Sequence, residues 1–271
     1  MKKNILSIAS IIACACAASA ADVAPAATTT APAPAAAKQI ETLSDECLLA
    51  SSLEKFSASL TAGFESEYVF RGKSLAGASF NPEVDMAYDV GYGFGVYAGV
   101  WANTPVNSSI ENEIDVYAGI NYEIKNFTFD LGYIAYMYSG ETSNSNEIKF
   151  AVAYDTVDYL GEFNVSPMLA YYYDFTLGVN TLEAGAAYSA PVTKWIADRN
   201  WGTIDLAAAY GWATTAHEGY SYVMLSADAV VAINSYAKIS AGIRYSYNND
   251  YTAADPTASR LWFGTALVIG F

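Results

Sequence analysis

The sequence predicts an all-β fold, a transmembrane antiparallel up-and-down β-barrel of about twelve strands. Three observations carry the prediction. From Phe56 onward, apolar and polar residues alternate with period two in runs of about ten residues or more. Soluble strands cluster near five or six residues, whereas membrane strands need about nine to eleven. No Asp, Glu, Lys or Arg falls on the apolar face of any strand core, and such a charge at the bilayer midplane costs roughly 2–4 kcal/mol for Arg or Lys. Finally, Leu261 to Phe271 is itself amphipathic. Phe263, Leu267, Ile269 and Phe271 share one face, while Trp262, Gly264, Ala266, Val268 and Gly270 share the other. A last strand ending on an aromatic residue fits a barrel that closes against its own first strand.

The elements follow in order. Residues 1–20 read as a signal peptide: Lys2 and Lys3, the apolar run Ile5–Ala13, and Ala18-Ser19-Ala20 before the cut. Ile11-Ile12-Ala13 before Cys14 is a rival, lipoprotein-type site. Residues 21–55 form a periplasmic arm. Ala21 to Ala37 is Ala-, Pro- and Thr-rich and has too little apolar bulk to pack. From Lys38 to Lys55, the residues Ile40, Leu43, Cys47, Leu48 and Leu49 recur at helical spacing. A short amphipathic helix and an unstructured leader are both open there.

Residues 56–271 are the barrel. The expected strands are 56–70, 79–90, 94–103, 111–124, 127–138, 146–156, 162–174, 181–190, 203–213, 220–233, 237–247 and 260–271. An even number places both ends on the periplasmic side. Gly91-Tyr92-Gly93, Lys125-Asn126 and Asn234-Ser235-Tyr236 are then tight periplasmic turns. Arg71–Ala78, Thr104–Ile110, Ser139–Ser145 and Asn248–Ser259 are longer loops facing out, while Pro191–Gly202 is a long segment on the periplasmic side, where Trp195 and Trp201 suit the headgroup level. Pro82 and Pro167 remove ladder donors and mark a bulge or a strand end.

Composition excludes several functions. The formal net charge of −15 becomes −17 once Lys2 and Lys3 leave with the signal. Nucleic-acid binding, which needs Lys and Arg against phosphate, is excluded. With Cys14 and Cys16 gone, Cys47 stands alone, so no internal disulfide or cysteine metal site forms. No nucleotide fingerprint or metal cluster is evident, and no cofactor is expected; Gly91-Tyr92-Gly93-Phe94-Gly95 is a hairpin turn, not a strand-to-helix motif.

Several segments together resemble a known family. Glu67-Tyr68-Val69-Phe70-Arg71-Gly72 with Lys73-Ser74 resembles the (D/E)YVFRG-x-S signature of the TorF family of porin-like proteins. Tyr97 to Asn103 is similar to that family's YAGVWAS segment, and Glu113–Gly119 and Gly132–Tyr138 to its next two strands. The match is densest over Phe56 to Tyr154. The resemblance implies an outer-membrane barrel that passes small solutes, with no catalytic motif to carry over.

The polar faces are strongly acidic. The candidate pore-lining residues are Glu65, Glu67, Glu83, Asp85, Glu113 and Asp115, with Lys238 and Arg244 shaping the field. Hairpin pairing across the first loop places Glu67 near Glu83 and Glu65 near Asp85. Lys238 and Arg244 are expected to reach across the small residues of the last strand toward the acids of the first. The function expected is passive, cation-preferring diffusion of small hydrophilic solutes through the outer membrane of a Gram-negative-type cell, with the N-terminus periplasmic. Outer-membrane lipid and small solutes or cations are the expected partners, and a homo-oligomer is left open. Inward Tyr97, Trp101, Tyr136, Tyr138 and Tyr172 also allow a filled, non-conducting barrel. Hydrolysis is the least favoured reading, because the single histidine, His217, has only Glu218 and Ser221 nearby in a polar loop.

Overall fold

The computed structural model describes residues 55–107, 109–140, 142–160, 165–192, 202–214, 219–250 and 259–271. The expected signal peptide, the arm and helix-like run before Lys55, Trp195, Trp201 and His217 lie outside the described residues.

Strand β1 (Phe56–Glu65) opens the barrel wall. A short hairpin follows, β2 (Tyr68–Phe70) and β3 (Lys73–Ala76). The wall resumes with β4 (Ser79–Gly91), β5 (Phe94–Pro105), β6 (Glu113–Ile124), β7 (Phe127–Tyr138) and β8 (Ser145–Tyr154). One helical turn, α1 (Val157–Leu160), leads to β9 (Val165–Asp174), β10 (Val179–Pro191), β11 (Gly202–Thr214), β12 (Gly219–Ala232), β13 (Ala237–Asn248) and β14 (Ser259–Gly270). Each wall strand pairs antiparallel with its neighbours, and β14 pairs with β1, giving a closed barrel of twelve strands. Closure runs from Ser59 opposite Gly270 to Glu65 opposite Gly264, and the Phe271 amide donates to the Ala58 carbonyl at 2.8 Å.

Period-two sequence makes this wall two-faced, because a one-residue slip would exchange its faces. The faces are inverted relative to a soluble core. Glu147 and Glu183 inside are 1% and 2% exposed, while Phe80 outside is 55% exposed. Leu60, Val84, Val100, Ile120, Leu169 and Ile243 share that outer surface. Backbone groups can enter lipid only when all are paired, and a sealed sheet pairs them. Nearer the long loops, outward tyrosines hydrogen-bond across strands: Tyr133 to Asn146 and Tyr171 to Asn180, both at 2.6 Å, and Tyr210 to Ser221 at 3.1 Å. A ring with one wet and one greasy end suits the lipid interface.

Two expectations are corrected. The first concerns the run 56–70, which is not one strand. It leaves the wall after Glu65, and Tyr68–Ala76 folds into the lumen instead of facing out. Tyr68, Val69 and Ala76 are buried there. The ten residues of β1 already have the length a membrane strand needs, and the next apolar residues are buried by packing inside. The second concerns Pro82, which sits inside β4 with its ring outward and marks neither a bulge nor a strand end. Pairing of β4 with β5 skips it but keeps register from Phe80–Thr104 to Glu83–Trp101. The β4 irregularity lies instead between Asp89 and Gly91, beside the tight turn. Pro167 is the third residue of β9, beyond the end of its pairing with β8, so its missing N–H costs that ladder nothing.

Candidate functional site

The lumen is the candidate site, and three groups of side chains define it. The first is an acidic wall on β4 and β6. The Tyr117 hydroxyl donates to Glu83 Oε1 at 2.8 Å and to Asp85. The Tyr138 hydroxyl donates to Glu113 Oε1 at 3.1 Å, and Asp115 lies between Trp101 and Tyr136 in the sheet register. Among the described residues, no basic side chain forms an ion pair with Glu83, Asp85, Glu113 or Asp115. Glu83, Asp85 and Glu113 are held by tyrosine hydroxyls and not neutralised by cations, while Asp115 Oδ1 is buried without a hydrogen-bond partner among the described residues.

Glycines make room for the rings that do this. A Cβ on Gly99 would lie 2.4 Å from the Tyr117 ring, and one on Gly119 2.4 Å from the Tyr97 ring. Tyr97 in turn donates to Asp130 at 3.1 Å, and Lys149 pairs with Asp130 at 2.8 Å. Gly99→Val should therefore push Tyr117 off both carboxylates and destabilise the barrel by about 1–3 kcal/mol. Urea unfolding in lipid vesicles measures the loss, and an unchanged midpoint would contradict this packing.

The second group is a charge network on the β12–β14 wall. Arg244 Nε lies 3.1 Å from Glu65 and Nη2 lies 3.0 Å from Asp228. The guanidinium reaches Glu65 across β14 at Gly264, where a Cβ would come within 2.4 Å of the Glu65 carboxylate. Lys238 is buried on the same inner face of β13. Glu67 borders the lumen cavity and lies 3.4 Å from Arg260. The expected meeting of Glu65 and Glu67 with Asp85 and Glu83 does not occur. Thr61 pairs with Glu83, Ser59 with Asp85, and Glu65 with Ser79. The in-folded hairpin takes up residues that a simple hairpin would have spent on continued pairing, and the register slides accordingly.

The third group, not anticipated from sequence, is the hairpin itself. Its tip is Arg71-Gly72, with φ of 48° and 80° between the paired residues Phe70 and Lys73. Positive φ at both positions is the two-residue turn that suits strand twist. Gly72 is required twice over, since a Cβ there would also lie 2.6 Å from Tyr222. Across the lumen, Tyr68 packs on Trp101 with ring centroids 5.5 Å apart, and Phe70 on Tyr136 at 6.0 Å. Val69 joins Tyr220, Tyr222, Met224 and Trp262 on the other side. Arg71 makes a two-pronged pair with Glu147, both contacts 2.8 Å. Burial alone would lower the Arg71 pKa, but the facing Glu147 carboxylate outweighs it and the guanidinium is held charged. Asn248 donates to the Gly72 carbonyl at 2.6 Å, and Lys73 pairs with Asp250. A cavity of about 40 Å³ remains between Tyr68, Val69 and the small-residue wall of Gly185, Ala187, Ala207 and Ala209.

The sequence segments that carried the family resemblance thus meet in space. Tyr68, from the first, stacks on Trp101, from the second. The signal available in the sequence was Arg71-Gly72 between Tyr68-Val69-Phe70 and Leu75-Ala76, a turn pair in what otherwise reads as an outer loop.

A family model described as "Bacterial protein of unknown function (Gcw_chp)" matches residues 50–257. Among solved structures, the fold is similar to the COG4313 outer membrane channel from Pseudomonas putida F1, with 8% identity, a TM-score of 0.50, and 80% of this chain and 94% of that chain covered. It is also similar to the KdgM porin, with 9% identity, a TM-score of 0.47, and 79% of this chain and 99% of that chain covered. At such identities the likeness concerns the fold alone. No curated protein matches the chain.

Proposed function

Starting from the finding that this chain belongs to the Gcw_chp family, we propose that it is a porin-like outer-membrane channel for passive diffusion of small hydrophilic solutes, held shut at rest by hairpin β2–β3. The observation that carries this reading is the inversion of the closed barrel, greasy outside and charged inside. Desolvating isolated carboxylates costs several kcal/mol each, whereas an aqueous lumen hydrates them. The resemblance to the TorF family at Glu67–Ser74 and Tyr97–Asn103 supports it. In this reading the N-terminus and the short turns face the periplasm, and lipid covers the outer belt.

The channel prefers cations. Glu83, Asp85, Glu113 and Asp115 present charge with no basic partner among the described residues, and rings of carboxylates favour cations. Glu65 and Glu67 contribute less, because Arg244 and Arg260 offset them. Replacing Glu83, Asp85, Glu113 and Asp115 by their amides should lower the cation-to-anion permeability ratio in planar bilayers. An unchanged ratio removes this wall as the selectivity element.

A second reading, a non-conducting structural or surface-interaction barrel, is favoured by the hairpin seated across the lumen. Current through purified protein in planar bilayers separates the two. Silence from both the native barrel and one lacking the hairpin decides for the second.

A further inference from the structure

Arg71 sits in the lumen wall as a bound ligand would. Both oxygens of Glu147 accept from its Nη atoms at 2.8 Å. The Tyr172 ring lies 4.7 Å from its Cζ. The Tyr136 hydroxyl donates to Glu147 Oε1 at 3.1 Å and fixes the carboxylate. Glu147, Tyr136 and Tyr172 are 1%, 6% and 6% exposed, and they belong to β8, β7 and β9, not to the hairpin. Only Phe70, 4.7 Å from the guanidinium, comes from the hairpin itself. The wall therefore supplies the fork acceptor and one aromatic face by itself. That combination selects a planar guanidinium over an ammonium, which is a strongly hydrated point charge without a fork.

We propose that this wall site is a guanidinium receptor, filled at rest by Arg71 as a tethered internal ligand, and that solutes carrying a guanidinium group compete with the hairpin for it. The consequence for transport rests on the channel reading: a competitor that displaces Arg71 frees the hairpin tip and favours the open barrel. A short tether holds its ligand at an effective concentration on the order of millimolar, so competition needs solute in that range or above.

The test uses the full chain refolded in detergent, with methylguanidinium as probe and methylammonium at equal ionic strength as control. Arg71→Ala empties the site. Calorimetry should then show saturable methylguanidinium binding, at least about tenfold tighter than methylammonium. Adding Glu147→Gln should weaken it by roughly 30-fold or more, as expected when a buried charge loses its partner. Equal binding of the two cations by Arg71→Ala, or no binding of either, overturns the receptor. Should Arg71→Ala not fold, the native protein decides: methylguanidinium must raise its open time in planar bilayers where methylammonium does not, and equal effects overturn the proposal. Failure of the channel reading looks different, because a barrel without the hairpin then carries no current while methylguanidinium binding persists.

Discussion

Joining Glu65 to Ser79 through an Asn-Gly turn should convert a closed barrel into a steadily conducting one. The design follows from the register, since these two residues already face each other as the last wall pair of β1 and β4. Asn-Gly is the two-residue turn that such a pair accepts. The wall should survive, because the pairing from Phe56–Tyr88 to Glu65–Ser79 and that from Ser59–Gly270 to Glu65–Gly264 involve none of the removed residues, and the seam loses only the two hydrogen bonds between Ser66 and Phe263 at its end. What disappears is the set of contacts that crosses the lumen: Tyr68 on Trp101, Phe70 on Tyr136, Val69 in its aromatic cluster, and Arg71 on Glu147. Eight strands enclose only side chains and sixteen to eighteen enclose a wide channel, so twelve without a plug should pass current about tenfold or more above the native barrel. Single-channel recording measures this. A native barrel that conducts as well as the shortened one would show that the hairpin is no barrier.

The wall was legible in the sequence because its chemistry repeats. Ile114, Val116, Ala118 and Ile120 alternate with Glu113, Asp115 and Asn121, and such a pattern admits one register per face. Expected and observed strands differ by about three residues at most wherever wall follows wall, as at 127–138 or 237–247 against Ala237–Asn248. The hairpin was not legible because period two also fits Tyr68-Val69-Phe70 as more of β1. Alternation reports that a segment is extended and two-faced; it does not report which apolar surroundings the segment finds. Tyr68 meets Trp101 across the lumen, and lipid offers it no comparable ring. The acidic site was legible by face but not by neighbour. Glu83 and Asp85 lie on the inner side, yet their companion is Tyr117, two strands away, whose fit depends on the absent side chain of Gly99 on the strand between them.

Arg244→Met should destabilise the barrel more than any substitution on its outer face, by about 3–5 kcal/mol. Arg244 sits between Glu65 and Asp228, and all three side chains are less than one-tenth exposed. Its removal leaves two buried carboxylates without a counter-charge. A methionine restores the volume but none of the charge. The cost therefore reports electrostatics and not a cavity. The two acids lie on different strands, β1 and β12, so the loss should also loosen the seam where β14 closes on β1. Gly264→Ala attacks the same pair from below, because its Cβ would stand 2.4 Å from the Glu65 carboxylate that Arg244 must reach. If the network is one unit, the double variant should cost clearly less than the sum of the singles, since an interaction can be broken only once. Urea unfolding in vesicles gives each value. Full additivity would mean that Gly264 and Arg244 serve the barrel separately and that the passage left over β14 has nothing to do with the ion pair.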